Sequence, residues 1–319
     1  MHFERRAFLQ SATAILCAST LPAARKPADE FSIIDTHQHL WNLDKFTLPW
    51  NKAGAGPLGR NFVTADYLAA VKELPVVKAI YMEVDVLPEQ HVAEAEYVLA
   101  LTTDPRNLTA AAVIGGRPAD ENFAKYVARF KDQPKVIGVR QVLHGGTPRG
   151  YCLAQEFIRG VRILGDNGKT FDLCLRPAEL SDAVKLVDAC PDTRFILDHC
   201  GNGSVAAFQK STRDDQAVTQ FQRDIAALAK RDRVICKISG IVAQLAKQPW
   251  DAEMLAPVIN TCLDAFGPDR VVFASDWPVC TLAASLQQWV AALRTIVNHR
   301  PADEQRKLFH DNAARFYGV

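Results

Sequence analysis

Two histidines one residue apart close the first apolar run of the chain, Ile33-Ile34-Asp35-Thr36-His37-Gln38-His39. On a β-strand, side chains two apart leave the same face, so His37 and His39 can aim two imidazoles at one point. That point suits a metal ion. An isolated pair of this kind is commonly incidental, and its weight comes from the far end of the chain. There Val271-Val272-Phe273-Ala274-Ser275-Asp276-Trp277-Pro278 repeats the arrangement with a carboxylate. Imidazoles and a carboxylate together are a ligand set for a divalent cation.

Other residues able to do chemistry also sit where apolar runs end. Glu83 and Asp85 close a second run, Arg140, Gln141 and His144 a fourth, and Arg176 a fifth. Asp198 and His199 follow a sixth, and Lys237-Ile238-Ser239 ends a seventh. The runs are 33–36, 76–84, 108–114, 136–143, 171–175, 194–197, 234–238 and 270–274, each rich in Val, Ile, Leu and Phe without polar alternation. Such runs read as parallel strands covered by helices. Helical stretches lie between them at 89–102, 119–130, 153–167, 180–189, 215–231 and 252–266. Eight β-α units in one chain of this length make a single-domain (β/α)8 TIM barrel, whose active site gathers at the C-terminal strand ends. A doubly wound open sheet gives the same alternation. It is disfavoured because no GxGxxG follows the first run and because the polar residues cluster at strand ends. The glycine-rich loop 42–61, with Trp50, is expected to form a rim or lid over the mouth.

The 319 residues, 48% apolar and 23% charged, suffice for a full core. A formal net charge of +1 gives no reason to expect nucleic acid or an anionic membrane as a partner. Residues 1–24 carry Arg5-Arg6, a moderately apolar stretch and small residues before a cleavage point, and resemble a twin-arginine export signal. Its apolar stretch is short for a membrane span. The expectation is therefore export by the twin-arginine machinery to the periplasm, leaving a domain over 25–319 that is free of the membrane. The seven cysteines beyond Cys17 are an odd number without a CxxC pair, which argues against a disulfide framework or zinc ribbon.

Asp35-Thr36-His37-Gln38-His39-Leu40-Trp41, Asp198-His199-Cys200-Gly201, Lys237-Ile238-Ser239-Gly240, Ser275-Asp276-Trp277-Pro278 and the Asp311-Asn312-Ala313 ending together resemble the amidohydrolase-related family. Within it they are similar to the sugar-lactone and muconolactone hydrolases of the L-fuconolactonase and L-rhamnonolactonase type. The resemblance runs from about Phe31 to Val319. It implies hydrolysis of a small sugar lactone or carboxylated lactone by activated water. One divalent metal, Zn2+ foremost, would be held by His37, His39, His199, Glu83 and Asp276, although some members of this branch work without metal. Asp276 is the expected general base, and His199 the metal ligand or oxyanion stabiliser. Arg140, His144, Arg176, Trp41 and Trp277 are expected to bind substrate, Arg140 by the fork it offers a carboxylate. Binuclear members carry a carbamylated lysine on the fourth strand. Arg140 stands there instead, so a two-metal site is not expected.

Taken singly, these residues have plainer readings. Asp276 would cap a helix, Glu83 and Asp85 would be a solvated strand end, and the tryptophans would be rim packing. Two other functions stay open on the same barrel: metal-dependent, non-oxidative decarboxylation of an aromatic acid, and non-catalytic binding of a sugar acid.

Overall fold

The computed structural model describes residues 31–319, and the expected export signal and residues 25–30 lie outside them. Eight parallel strands follow one another around a single sheet: β1 (Ile33–Gln38), β2 (Val76–Met82), β3 (Thr109–Gly115), β4 (Val136–Val142), β5 (Thr170–Cys174), β6 (Arg194–Leu197), β7 (Val234–Ile238) and β8 (Val271–Phe273). Helices connect them, as expected of a TIM barrel. Each expected run became a strand. Two expected helices, Leu180–Ala189 and Ala252–Phe266, have the bounds that the sequence suggested. The helix expected from residue 119 starts instead at Phe123, because Asp120 closes a turn with Arg117 and accepts the amide of Asn122. The helix Leu286–Val297 was not foreseen, although Ser285 and Gln288 form a capping box at its start. No helix among the described residues is long and apolar enough to cross a membrane.

Period-two geometry sorts most of the strands between two apolar environments. Ala79, Tyr81, Phe195, Leu197, Val271 and Phe273 pack with the helices in the main core. Their neighbours Ile80, Ile196 and Val272 join Ile34, Met82, Ala111, Val113 and Ile235 in a second cluster, with Ala313 and Tyr317 of the C-terminal helix. A strand buried on both faces has no polar alternation to show, which is why the runs read as continuous. All seven described cysteines are free and buried, in keeping with cysteine as a small hydrophobe.

The barrel closes where β8 returns to β1, and the ladder is thinnest there, with one parallel bridge between Gln38 and Trp277. Asp35 substitutes for the missing ladder. Its fully buried carboxylate accepts the Ser275 amide at 2.8 Å, the Ser275 hydroxyl at 2.5 Å, the Tyr67 hydroxyl at 2.8 Å and the His37 amide at 3.1 Å. Asp35 thus ties both closing strands and the helix Thr64–Val71 to one anion. A second buried carboxylate, Glu94, accepts Tyr81 Oη and the Val84 amide, both at 2.9 Å. Burial, reinforced by the charge of Glu83, pushes its pKa up to about 8.

Two stability predictions follow from these carboxylates. Asp35→Ala strands buried donors and should lower the unfolding free energy by roughly 3–5 kcal/mol, whereas Tyr67→Phe, which removes one donor, should cost about 1 kcal/mol; urea titration of both variants checks this. Glu94 binds its proton more tightly folded than unfolded, so its contribution is complete below the ordinary glutamate range and is lost as pH rises towards about 8. Glu94→Gln should therefore flatten the fall in melting temperature between pH 5 and about 8; an unchanged slope would mean that Glu94 is ionised in the fold.

Candidate active site

A cavity of about 510 Å³ opens at the C-terminal strand ends. His39, Arg140, His144, His199 and Asp276 line it, with Asp85, Asn202 and Gln244 as further polar residues. Trp41, Trp50, Leu58, Val84, Val142 and Val279 supply apolar wall. Trp50 and Leu58 come from the loop 42–61, which therefore borders the mouth. Trp50 Nε1 donates to the Val84 carbonyl at 2.7 Å, and its ring meets Trp41 edge-on at 5.5 Å.

His37 and His39 face the same point, with their Nε2 atoms 3.1 Å apart. Asp276 Oδ1 lies 3.4 Å from the His39 Nε2 and 3.7 Å from the His37 Nε2. The outer nitrogens dictate the tautomers. His39 Nδ1 donates to the Met82 carbonyl at 3.0 Å, which in a neutral ring leaves the lone pair on Nε2. A proton on His37 Nδ1 faces Asp198 Oδ1 at 3.5 Å, which leaves His37 Nε2 a lone pair as well. Burial, helped by Lys237 and opposed by Asp198, holds His37 well below the ordinary imidazole range, so it is neutral. Burial also works against an ionised Asp276, but His199, His39 and Arg140 outweigh it and keep this carboxyl below its usual range. His37 Nε2, His39 Nε2 and Asp276 Oδ1 thus converge, with Arg140 Nη1 3.2 Å from the His37 nitrogen. The three residues fit a divalent metal, and His37, Asp198 and His199 form a second such cluster.

Glu83 does not join either cluster. Its Oε1 accepts Arg140 Nε at 2.6 Å and its Oε2 accepts the Asp85 amide at 2.6 Å, so it positions Arg140 rather than completing the ligand set. Arg140 is equally committed. Beyond Glu83, its Nη2 donates to the Glu83 carbonyl at 2.9 Å, and its Nη1 lies 3.2 Å from His37 Nε2 and 3.3 Å from Asp198 Oδ2. The chain of charge continues inwards. Lys237 Nζ stands 3.0 Å from Asp198 Oδ1, 2.6 Å from Asp172 Oδ2 and 3.4 Å from His37 Nδ1. Burial opposes charge on Asp198, yet Lys237 and His37 hold it well below the carboxylate range. Burial wins at Asp172 and raises it to about 7 despite Lys237.

His199 follows β6 at a left-handed φ of 53°, and Asp276 follows β8 at 55°. Such backbone is costly for residues other than glycine and gathers at functional sites. The His199 ring centroid is 4.5 Å from that of His37, and its Nδ1 meets the Ser239 hydroxyl at 2.9 Å. Gly240 makes room for this ring: a Cβ there would stand 2.4 Å from His199 Nδ1. Burial lowers the pKa of both His199 and His144.

Two residues expected at the substrate lie elsewhere. Arg176 is paired with Glu179 and donates to the Thr147 carbonyl at 3.1 Å, off the cavity wall. Trp277 is 3% exposed and packs against Phe62 and Tyr67 behind the wall. Conversely, Asp172 and Ser239 had no assigned role. Ser239 belongs to the Lys237-Ile238-Ser239-Gly240 motif, whereas Asp172 sits inside an apolar run, where only its charge could have marked it.

Residues 34–319 match the amidohydrolase family. The chain is 32% identical over 296 residues to an L-fucono-1,5-lactonase from Burkholderia multivorans, covering 90% of this chain and 96% of that relative. A crystal structure of an amidohydrolase from the same species with bound HEPES superposes with a TM-score of 0.79 at 28% identity, over 90% of this chain and 99% of that one. A crystal structure of an amidohydrolase from that species with bound zinc gives a TM-score of 0.78 at 28% identity, with the same coverage. Motifs, barrel and clustered mouth residues thus agree with the match along nearly the whole described chain: the protein belongs to the amidohydrolase family.

Proposed function

We propose that the protein hydrolyses the ester of a small sugar lactone or related lactone with a water molecule activated at Asp276. The observation that carries this reading is the convergence of His37, His39 and Asp276 at the floor of a cavity wide enough for a single sugar ring. The lactonase activity named for the Burkholderia multivorans relative, which aligns over 90% of this chain, supports the reaction class.

Asp276 is ionised and no described residue donates to its Oδ2, so it can accept a proton from water as the water oxygen adds to the ester carbonyl. Collapse of the tetrahedral adduct breaks the bond to the ring oxygen, which leaves with the electron pair and takes the proton back from Asp276. The product is the open hydroxy acid. Neutral His199 serves the developing oxyanion: a Ser239 hydroxyl donating to Nδ1 places the ring proton on Nε2, where it can be donated. His37, His39 and Asp276 would hold one divalent ion, zinc by their donor chemistry, supplying Lewis-acid polarisation of the carbonyl or a more acidic water. Asp198, itself held by Arg140 and Lys237, keeps His37 oriented through its Nδ1.

Asp276→Asn should lower kcat on accepted lactones by about 10²- to 10⁴-fold with little change in KM, read by acid release in a weakly buffered indicator assay. Full activity in this variant would remove Asp276 from the mechanism. For the metal, elemental analysis of the purified protein should find about one zinc per chain and next to none in His37→Ala/His39→Ala; no bound metal in the parent protein, with activity indifferent to chelator, would leave the histidines as hydrogen-bond donors only. Release of CO2 from an aromatic acid instead of acid from a lactone would point to decarboxylation. Tight binding without turnover would point to a sugar-acid receptor.

A further inference from the structure

Carboxylates outnumber permanent cations in the described lining of the cavity. Arg140 is the one permanent cation among the described lining residues, and four of its five N–H groups are already directed at Glu83, Asp198 and His37. It cannot offer the two-pronged fork that a carboxylate needs. Gln244 is used at both ends, its Nε2 donating to the Gly203 carbonyl at 3.0 Å and its Oε1 accepting the Val205 amide at 3.0 Å. Asn202 gives one Nδ2 hydrogen to the Leu175 carbonyl at 2.8 Å, which leaves Oδ1 as an acceptor beside its second N–H.

Asp85 completes this pattern. It follows β2 at a left-handed φ of 51°, fixed by its amide on Glu83 Oε2. Arg117, which does not line the cavity, holds its Oδ1 at 2.7 Å. The side chain stays 30% exposed, and no described residue donates to its Oδ2. A carboxylate clamped by one oxygen and open by the other is built to accept a hydroxyl proton. It would repel a second carboxylate, and Arg140, the one permanent cation of the described lining, has no fork free to offset that repulsion. The apolar wall of Trp41, Trp50 and Leu58 suits the C–H face of a sugar ring.

We propose that Asp85 is a specificity-determining residue that selects uncharged, hydroxyl-bearing lactones and turns away carboxylated ones. This rests on the lactonase reading and narrows it. The test compares parent protein with Asp85→Asn, a residue that tolerates the left-handed turn, by kcat and KM on three rings. These are D-galactono-1,4-lactone, γ-butyrolactone, which has no hydroxyls, and the carboxylated D-glucaro-1,4-lactone, with 1,5-lactones run in parallel. The parent should favour the neutral sugar lactone over the carboxylated one at least tenfold. Asp85→Asn should raise KM for the neutral sugar lactone roughly 10- to 100-fold, as expected for losing a hydrogen bond to a charged group, and lower its kcat/KM relative to γ-butyrolactone by a similar factor. An equal loss on both neutral rings would mean a merely structural role, and comparable parent activity on the carboxylated lactone would overturn the selectivity. Should the protein hydrolyse no lactone, calorimetric binding of the same sugars decides separately: Asp85-dependent affinity keeps this assignment while the lactonase reading falls, and affinity indifferent to Asp85 sinks it.

Discussion

A chain of opposite charges runs through the top of the barrel, from Glu83 to Arg140, Asp198, Lys237 and Asp172, each at most 4% exposed. Removing an ion from water costs several kcal/mol even after relaxation, so none of these groups would be tolerated there alone. Alternation of sign solves this, and it has a structural effect. The five side chains come from β2, β4, β6, β7 and β5 or the residues just after them, so satisfying the charges fixes how those strand ends stand to one another. His37 lies against three members of the chain and is kept neutral within it. The ligand-like geometry at the cavity floor is therefore an outcome of charge pairing elsewhere.

Much of this was legible in the sequence. Strands buried on both faces announce themselves as unbroken apolar runs, and all eight were readable. Two imidazoles at period-two spacing meet because a strand makes them meet, so His37 and His39 could be paired from one motif. The partnerships of Glu83 and Arg140 could not. Their positions at strand ends were visible, but 57 residues separate them, and an arginine aimed at a glutamate looks in sequence like an arginine waiting for a substrate. The same distance in sequence hides Asp35 and Ser275, which join across 240 residues. Arg176 is different. Its partner Glu179 is three residues on, and a local pair was there to be read.

Trp277 shows how a strong motif can mislead about one of its members. Ser275-Asp276-Trp277-Pro278 turns sharply, with Asp276 at a left-handed φ. The turn aims Asp276 at the imidazoles and sends the indole behind the wall to Phe62 and Tyr67. Asp85, His199 and Asp276 share this left-handed backbone. Each follows a strand by a few residues, and the constrained turn redirects a side chain that the strand alone would place elsewhere.

Gly240 carries a further implication. The His199 ring occupies the space that any side chain at position 240 would fill, on a backbone whose φ of 72° already favours glycine. The imidazole's placement is thus set by a missing atom on a neighbouring strand end. Among barrels of this architecture, a larger residue at that site would signal altered chemistry even where every histidine and aspartate of the mouth had been retained. An inventory of functional groups alone would class such a protein with this one, and the small residue beside the ring is what tells them apart.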